Sequence, residues 1–252
     1  MNRKIAIVTG GSRGLGKNAI EKLAKKGVDV ILTYHNQAAA AQEVVVSVEA
    51  QGGKAVALQL NTGESGSFDG FVVQVKAQLQ QVWQRDTFDF LINNAGVGLH
   101  QSFADTTEEQ FDLMMNVHLK GPFFLTQKLL PLMGDGGRIL NISSGLARFA
   151  LPGSSAYAMM KGAIEVLTRY QAKELGARGI TANVLAPGAI ETDFSGGMVR
   201  DNPDVNRLVA SNTALGRAGL PDDIGDMVAL MLSDEAGWMT AQRVEASGGM
   251  FI

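Results

Sequence analysis

A short apolar run at residues 4–8 breaks directly into Thr9-Gly10-Gly11-Ser12-Arg13-Gly14-Leu15-Gly16, and a helical pattern then continues through Lys26. Strand, glycines and helix in that order leave few folds open. Glycine permits the tight turn and lets backbone come close to a bound group. The N–H groups that open the following helix favour a pyrophosphate. A plain glycine-rich turn between strand and helix shows the same pattern, so the rest of the chain must decide.

The remaining chain keeps alternating. Strands are expected at 28–34, 54–60, 88–92, 138–143, 180–186 and 243–246. Helices are expected at 37–51, 68–83, 107–116, 117–133, 153–178 and 221–232, the pair around Asn116 reading as two helices or one long bent one. Such alternation predicts an α/β fold, a doubly wound parallel sheet with helices on both faces. The stretch 194–212 carries Gly196-Gly197 and no strand signal, which suits a substrate lid of short helices around 188–215. No repeat, linker or low-complexity segment divides the 252 residues, so one domain is expected.

Composition narrows the function. The net charge of −3 offers no basic surface for nucleic acid. There is no cysteine, hence neither disulfide framework nor thiolate chemistry, and three scattered histidines make a zinc site improbable. The first residues lack the apolar core of a signal peptide, and no apolar run is long enough to span a membrane. A cytoplasmic protein acting on a small molecule, with neither nucleic acid nor membrane as partner, is the expectation.

In dinucleotide folds a carboxylate at the tip of the second strand takes the ribose 2′-hydroxyl of NAD. Here that tip reads Tyr34-His35-Asn36, without a carboxylate, while Arg13 stands in the glycine turn. A guanidinium without a competing acid favours the 2′-phosphate of NADP(H) over NAD(H). Asn61, beside Thr62 after the third strand, either meets an adenine edge or simply forms a turn. Asn94, Ala95 and Gly96, at the tip of the fourth, permit close ligand approach or stabilise the turn.

The chemistry concentrates further on. Tyr157 and Lys161 are four residues apart in a helical stretch, so both side chains share one face. An ammonium beside a phenol favours the phenolate and lowers a value that is otherwise near 10, which makes the hydroxyl a usable proton donor or acceptor. Ser144 follows an apolar strand pattern, so it sits at a carboxyl end, where open α/β sheets bind ligands. Taken alone, the Tyr–Lys spacing also describes a solvated lysine and a half-buried tyrosine.

Taken together and in order, these motifs resemble the short-chain dehydrogenase/reductase family along essentially the whole chain. The resemblance implies a Rossmann fold with a seven-stranded sheet, and hydride transfer between NADP(H) and a carbonyl or alcohol. It implies a catalytic tetrad of Asn116, Ser144, Tyr157 and Lys161. Tyr157 would be the acid/base, Lys161 would hold the nicotinamide ribose, and Asn116 would keep a water linking Lys161 to solvent. It implies cofactor contacts from Gly10, Ser12, Arg13, Gly14, Leu15 and Gly16, then Tyr34, His35, Asn36, Asn61 and Thr62. Further contacts would come from Asn94, Ala95, Gly96, Tyr157, Lys161, Pro187, Gly188, Ile190 and Thr192. Family members are usually homotetramers or homodimers built on the two long helices.

The expected activity is reduction of a ketone to an alcohol, or the reverse. The glycine loop and Ile190-Glu191-Thr192-Asp193 resemble 3-oxoacyl-[acyl-carrier-protein] reductases, the alternative reading. Those use flanking bases to meet an acidic carrier. Arg178 is one candidate base, but Asp135 stands where another is expected, and Ser247 replaces a common Asp. A non-catalytic nucleotide sensor is the third reading. Val97, Leu99, Leu146, Phe149, Leu151, Phe194 and Met198 are the candidate substrate wall, suggesting a hydrophobic or aromatic ketone.

Overall fold

A computed structural model describes residues 3–252. Seven parallel strands form one sheet in the order β3-β2-β1-β4-β5-β6-β7. They are β1 (Ile5–Val8), β2 (Asp29–Tyr34), β3 (Ala55–Gln59), β4 (Phe88–Asn93), β5 (Met133–Ile142), β6 (Thr181–Pro187) and β7 (Arg243–Ala246). The chain winds outward from β1 to β3, then returns to pair β4 with the other side of β1. The sheet's direction of winding reverses there, which leaves a crevice beyond the carboxyl ends of β1 and β4.

Successive strand residues point to opposite faces. Ala6, Val8, Val30, Leu32, Phe90 and Ile92 pack against α1 (Gly14–Lys25), α2 (Ala38–Ala50) and α9 (Pro221–Met231). Ile5, Ile7, Ile31, Leu91 and Ile139 pack on the other side, against α3 (Phe68–Gln78), α5 (Gly121–Leu129) and α6 (Ser155–Leu175). Both faces are covered, which is why the strands read as continuous apolar runs rather than alternating ones. Full burial of one side chain such as Phe68 is worth about 2–3 kcal/mol.

Three elements depart from the sequence expectation. The fifth strand starts at Met133 rather than at 138, because Phe88 pairs with Met133 and Phe90 with Arg138, so the Gly-rich segment between bulges out. The long α6 starts at Ser155 because Gly153 has φ +85, a left-handed conformation outside the helix. Between α4 (Glu108–Met115) and α5 lies a wide π-helical turn, Asn116–Lys120, with helical backbone at both joins. The bend is a register change within a nearly continuous helix. Thr107 and Gln110 form the capping box that starts α4.

A ladder of buried amides braces the sheet beside the crevice. Asn93 Nδ2 donates to Thr126 and to Asn141 Oδ1, and Asn141 Nδ2 donates to Thr168 and Gln171. It ties β4 and β5 to α5 and α6, so those helices cannot slide on the strands that carry the site. Among the described residues no helix is long and apolar enough to cross a membrane.

Candidate active site

The crevice opens into a cavity of about 480 Å³. Its floor is the first turn. Gly10 and Gly14 have φ of +65 and +54, which side chains rarely tolerate. Gly16 does not line the cavity; it lies behind the turn, where a Cβ would stand 2.3 Å from the Gly10 carbonyl oxygen and 2.6 Å from Asn94 Nδ2. Asn94 is a buttress as well as a lining residue. Its Nδ2 donates to the Thr9 and Gly10 carbonyls, while Thr9 Oγ1 accepts from the N–H groups of Asn94 and Ala95. The turn is thereby held open with the amino end of α1 facing the cavity, and α1 has no side-chain cap of its own. Ser12, Arg13, Leu15, Tyr34, His35, Asn36, Thr62, Ala95 and Gly96 line the same cavity, with no carboxylate at the tip of β2. Asn61 lines it too, but its amide is engaged locally, donating to Glu64 and accepting from Gly63 N–H. Of its two readings, the turn is the one its hydrogen bonds serve.

The other half of the cavity carries Ser144, Tyr157 and Lys161 together with Pro187, Gly188, Ile190 and Thr192. Ser144 follows β5 and its hydroxyl accepts from Leu146 N–H at 3.2 Å, which fixes the oxygen at the strand's end. One helical turn separates Tyr157 from Lys161, and both face inward as the spacing predicts. Lys161 is buried. Its Nζ donates to the Ile142 carbonyl at 2.8 Å and lies over the Tyr157 ring, 5.4 Å from its centre. Burial depresses its ammonium to about 8. Burial also pushes the Tyr157 phenol above its usual value, and the nearby Ser144 hydroxyl pulls the other way. The net direction for the phenol is upward, because withdrawal from water outweighs what draws it down.

Asn116 does not join these groups. It opens the wide π turn, outside the cavity, and the turn instead carries His118 inward. His118 is 2% exposed and meets the Tyr157 ring edge to face, with centres 5.0 Å apart. Its Nε2 bonds the Val97 carbonyl at 2.8 Å and its Nδ1 is buried without a partner. Burial, aided by the Lys161 charge, holds the imidazole down to about 3, so it is neutral. Gly96 makes room for it: a Cβ there would lie 2.7 Å from His118 Cε1. Sequence reasoning set His118 aside as one of three scattered histidines. No local pattern marks it, because only the extra residue of the π turn rotates it into the site.

Among the candidate substrate residues, Val97, Leu146, Phe149, Leu151, Phe194 and Met198 line the cavity. Leu99 does not; it packs with Met114, Ala156 and Met160 behind Tyr157. Met250 and Val199 complete the apolar wall and were not foreseen, since the first comes from beyond the last strand and the second from the segment over the cavity.

This arrangement brings a hydroxyl, a phenol and a buried cation to one end of a crevice whose other end is a glycine turn at a helix start. A family model described as "Enoyl-(Acyl carrier protein) reductase" matches residues 10–251. An uncharacterised oxidoreductase of Methylorubrum extorquens is 35% identical over 98% of this chain and 97% of its own. The 3-oxoacyl-[acyl-carrier-protein] reductase FabG of Staphylococcus aureus is 32% identical over 99% and 98%. Among solved structures, the promiscuous reductase LugOII, which catalyses keto-reduction at C1 during lugdunomycin biosynthesis, superposes with a TM-score of 0.94 at 39% identity, covering 99% of this chain and 98% of that one. The angucycline C-6 ketoreductase LanV with bound NADP superposes at 0.93 and 38%, covering 98% and 95%. With the sheet order, the glycine turn and the Tyr157–Lys161 helix already in place, these similarities make the chain a member of the short-chain dehydrogenase/reductase family.

Proposed function

We propose that this protein is an NADP(H)-dependent ketone reductase in which Ser144, Tyr157 and Lys161 are the catalytic residues. The observation that carries it is their convergence in one cavity with the glycine turn. The cradle fits the cofactor. Glycines stand where a Cβ would collide, the amino end of α1 faces in, and Arg13 lines the cavity opposite a β2 tip without a carboxylate. LanV, with NADP bound, supports the same choice.

Bound NADPH supplies the hydride. Ser144 Oγ donates a hydrogen bond to the ketone oxygen and stabilises the negative charge that develops there. Tyr157 Oη gives its proton to that oxygen. Lys161, anchored on the Ile142 carbonyl, keeps a positive charge beneath the phenol and stabilises the phenolate left behind. Asn116, from the wide turn it opens, would keep a water that links Lys161 to solvent. The segment 188–215 closes over the substrate as a lid. It contains α7 (Met198–Asp201) and α8 (Pro203–Ser211), and Ser195, Gly196 and Gly197 form a run of positive φ at the point where α7 joins.

The wall of Phe149, Phe194, Leu146 and Met198 suits a hydrophobic or aromatic ketone. The keto-reductions named for LugOII and LanV point the same way. A carrier-bound acyl substrate fits less well: Arg178, the candidate base, donates to Asp135 at 2.8 Å and to the Leu130 carbonyl, so its charge is already matched. Exposed apolar side chains on α5 and α6, among them Phe123, Val166 and Tyr170, suit a second copy of the chain in a homotetramer or homodimer in the cytoplasm.

The test is NADPH oxidation against a panel of aryl ketones. Turnover is expected, falling by about 10²-fold or more in Tyr157→Phe. NADPH should outperform NADH, and Arg13→Ala should erase that preference. NADPH binding without turnover on any ketone would instead favour a nucleotide sensor.

A further inference from the structure

A chain of four alternating charges runs from the catalytic helix to the residues beyond β7. Glu165, one turn past Lys161, accepts from Ser143 Oγ and from Arg243 Nε, each at 2.7 Å. Arg243 also donates to Glu245 at 2.8 Å and to the Ser144 carbonyl at 3.4 Å. Glu245 is gripped on its second side by Arg148, through Nε at 2.9 Å and a terminal nitrogen at 2.7 Å, and by Ser247 Oγ at 2.7 Å. Ser247 thus donates to Glu245 at a position where a carboxylate would repel it. The Arg148 guanidinium holds the Glu245 carboxyl down to about 2, so the pair stays charged across the working pH range.

Arg148 then spends its remaining N–H groups on the carbonyls of Met250, at 2.7 Å, and Phe251, at 3.1 Å. Those two residues have no regular strand to hold them. Met250 is buried, lines the substrate cavity and packs with Phe149, Val199, Val205 and Val209. Phe251 stacks on Phe149 at 4.8 Å. The wall of the pocket and the lid helices therefore meet at a segment held on one side by backbone bonds to residues 212–215 and on the other by the Arg148 guanidinium.

We infer that Arg148 is a specificity-determining positioning residue. By pinning Met250 and Phe251 it makes the far wall against which the distal part of a large, multi-ring ketone packs. The inference rests on the ketone-reductase reading and adds a substrate size to it. On this inference a ketone of one ring held at Ser144 and Tyr157 draws little binding energy from that wall. One of three rings needs it. Loosening the wall costs the second substrate binding energy that the first never received.

The experiment compares Arg148→Leu with the parent on a one-ring and a three-ring aryl ketone, using NADPH. For the three-ring ketone, kcat/KM is expected to fall tenfold or more, mainly through KM. For the one-ring ketone and for NADPH, KM should stay within about twofold, since an interaction absent from the small substrate cannot be lost. Amide exchange of residues 249–251 and 212–216 should quicken in the variant, because the segment's backbone bonds to Asn212, Ala214 and Leu215 would share its looseness. If Arg148→Leu does not fold, Arg148→Lys, which cannot grip Glu245 through two nitrogens, gives the same comparison. Equal losses on both ketones, or unchanged values on both, overturn the inference while leaving the reductase intact. A parent protein inactive on every ketone sinks the reductase reading instead.

Discussion

Lys161 should cost this protein stability, and its removal should show how much. The side chain is 5% exposed, its Nζ has one bond to a carbonyl, and burial is the only influence that moves its titration. Its folded value of about 8 lies below the 10.5 of an exposed lysine. At about 1.4 kcal/mol per pH unit, that gap is roughly 3 kcal/mol. The sign follows from proton counting. Below pH 8 the lysine is charged in both folded and unfolded chains, so the burial penalty is present in full. Between about 8 and 10.5 the unfolded chain binds more protons than the folded one, and stability rises with pH until the penalty is gone.

Lys161→Met removes the charge at every pH. At about pH 7 the free variant should be more stable than the parent by about 1–3 kcal/mol, the lower end allowing for the lost Ile142 hydrogen bond. In a chain of this size each kcal/mol moves the melting temperature by about 2–4 °C. Urea unfolding of both proteins at about pH 7 and about pH 10 measures it, and the advantage of the variant should shrink at the higher pH. Turnover should be lost at the same time. A variant less stable than the parent at pH 7, or an advantage that does not change with pH, would refute the claim that an unpaired buried cation is being held at a loss.

Ser144→Ala removes the one resident group that draws the Tyr157 phenol downward, so kcat should fall by about 10²-fold and the pH optimum of reduction should move, as a steady-state pH profile will show. Gly16→Ala places a methyl against the Gly10 carbonyl and Asn94, and overpacking of that kind costs about 1–3 kcal/mol; NADPH titration should give a Kd raised tenfold or more. His118→Phe keeps a ring against Tyr157 but leaves the Val97 carbonyl unpaired, so the melting temperature should drop by several degrees. Because His118 is held at about 3 when folded and 6.5 when exposed, only the unfolded chain gains a proton as pH falls through that window. The acid sensitivity it contributes should be missing from the variant.

The sheet was legible because its central strands, β1, β2, β4 and β6, are buried on both faces and appear as apolar runs bounded by glycine, proline or amides. The glycine turn and the Tyr157–Lys161 spacing were legible because both are local. What escaped the sequence depends on distant pairing. The start of β5 is set by Phe88 opposite Met133, across a glycine bulge that no periodicity reveals. His118 reaches the cavity from a wide turn, Asn116–Lys120, whose helical register the sequence does not reveal. Met250 and Val199 reach the pocket only after the final segment folds back on the lid. Arg178 and Asp135 read as a conflict in sequence and turn out to be each other's partner.

Burial acts on Tyr157 and Lys161 in opposite directions with one result: it favours the neutral phenol and the neutral amine. The neutral phenol is the state that gives a proton to a ketone oxygen, whereas taking one from an alcohol needs the phenolate. The Ser144 hydroxyl pulls the phenol the other way but does not cancel the rise. The dyad is therefore conditional. In the free protein burial makes Tyr157 hold its proton more tightly than an exposed tyrosine does, and an added positive charge in the same low-dielectric cavity has the strongest leverage on it. The chain has three tyrosines, so the phenolate absorbance of the parent minus that of Tyr157→Phe isolates this one. Without cofactor the difference should show no ionisation up to about pH 10, the ordinary tyrosine value; with oxidised NADP bound, the onset should fall. A free-protein signal at or below that pH would mean that Lys161 alone sets the phenol, and that burial is not what keeps the site silent until it is loaded.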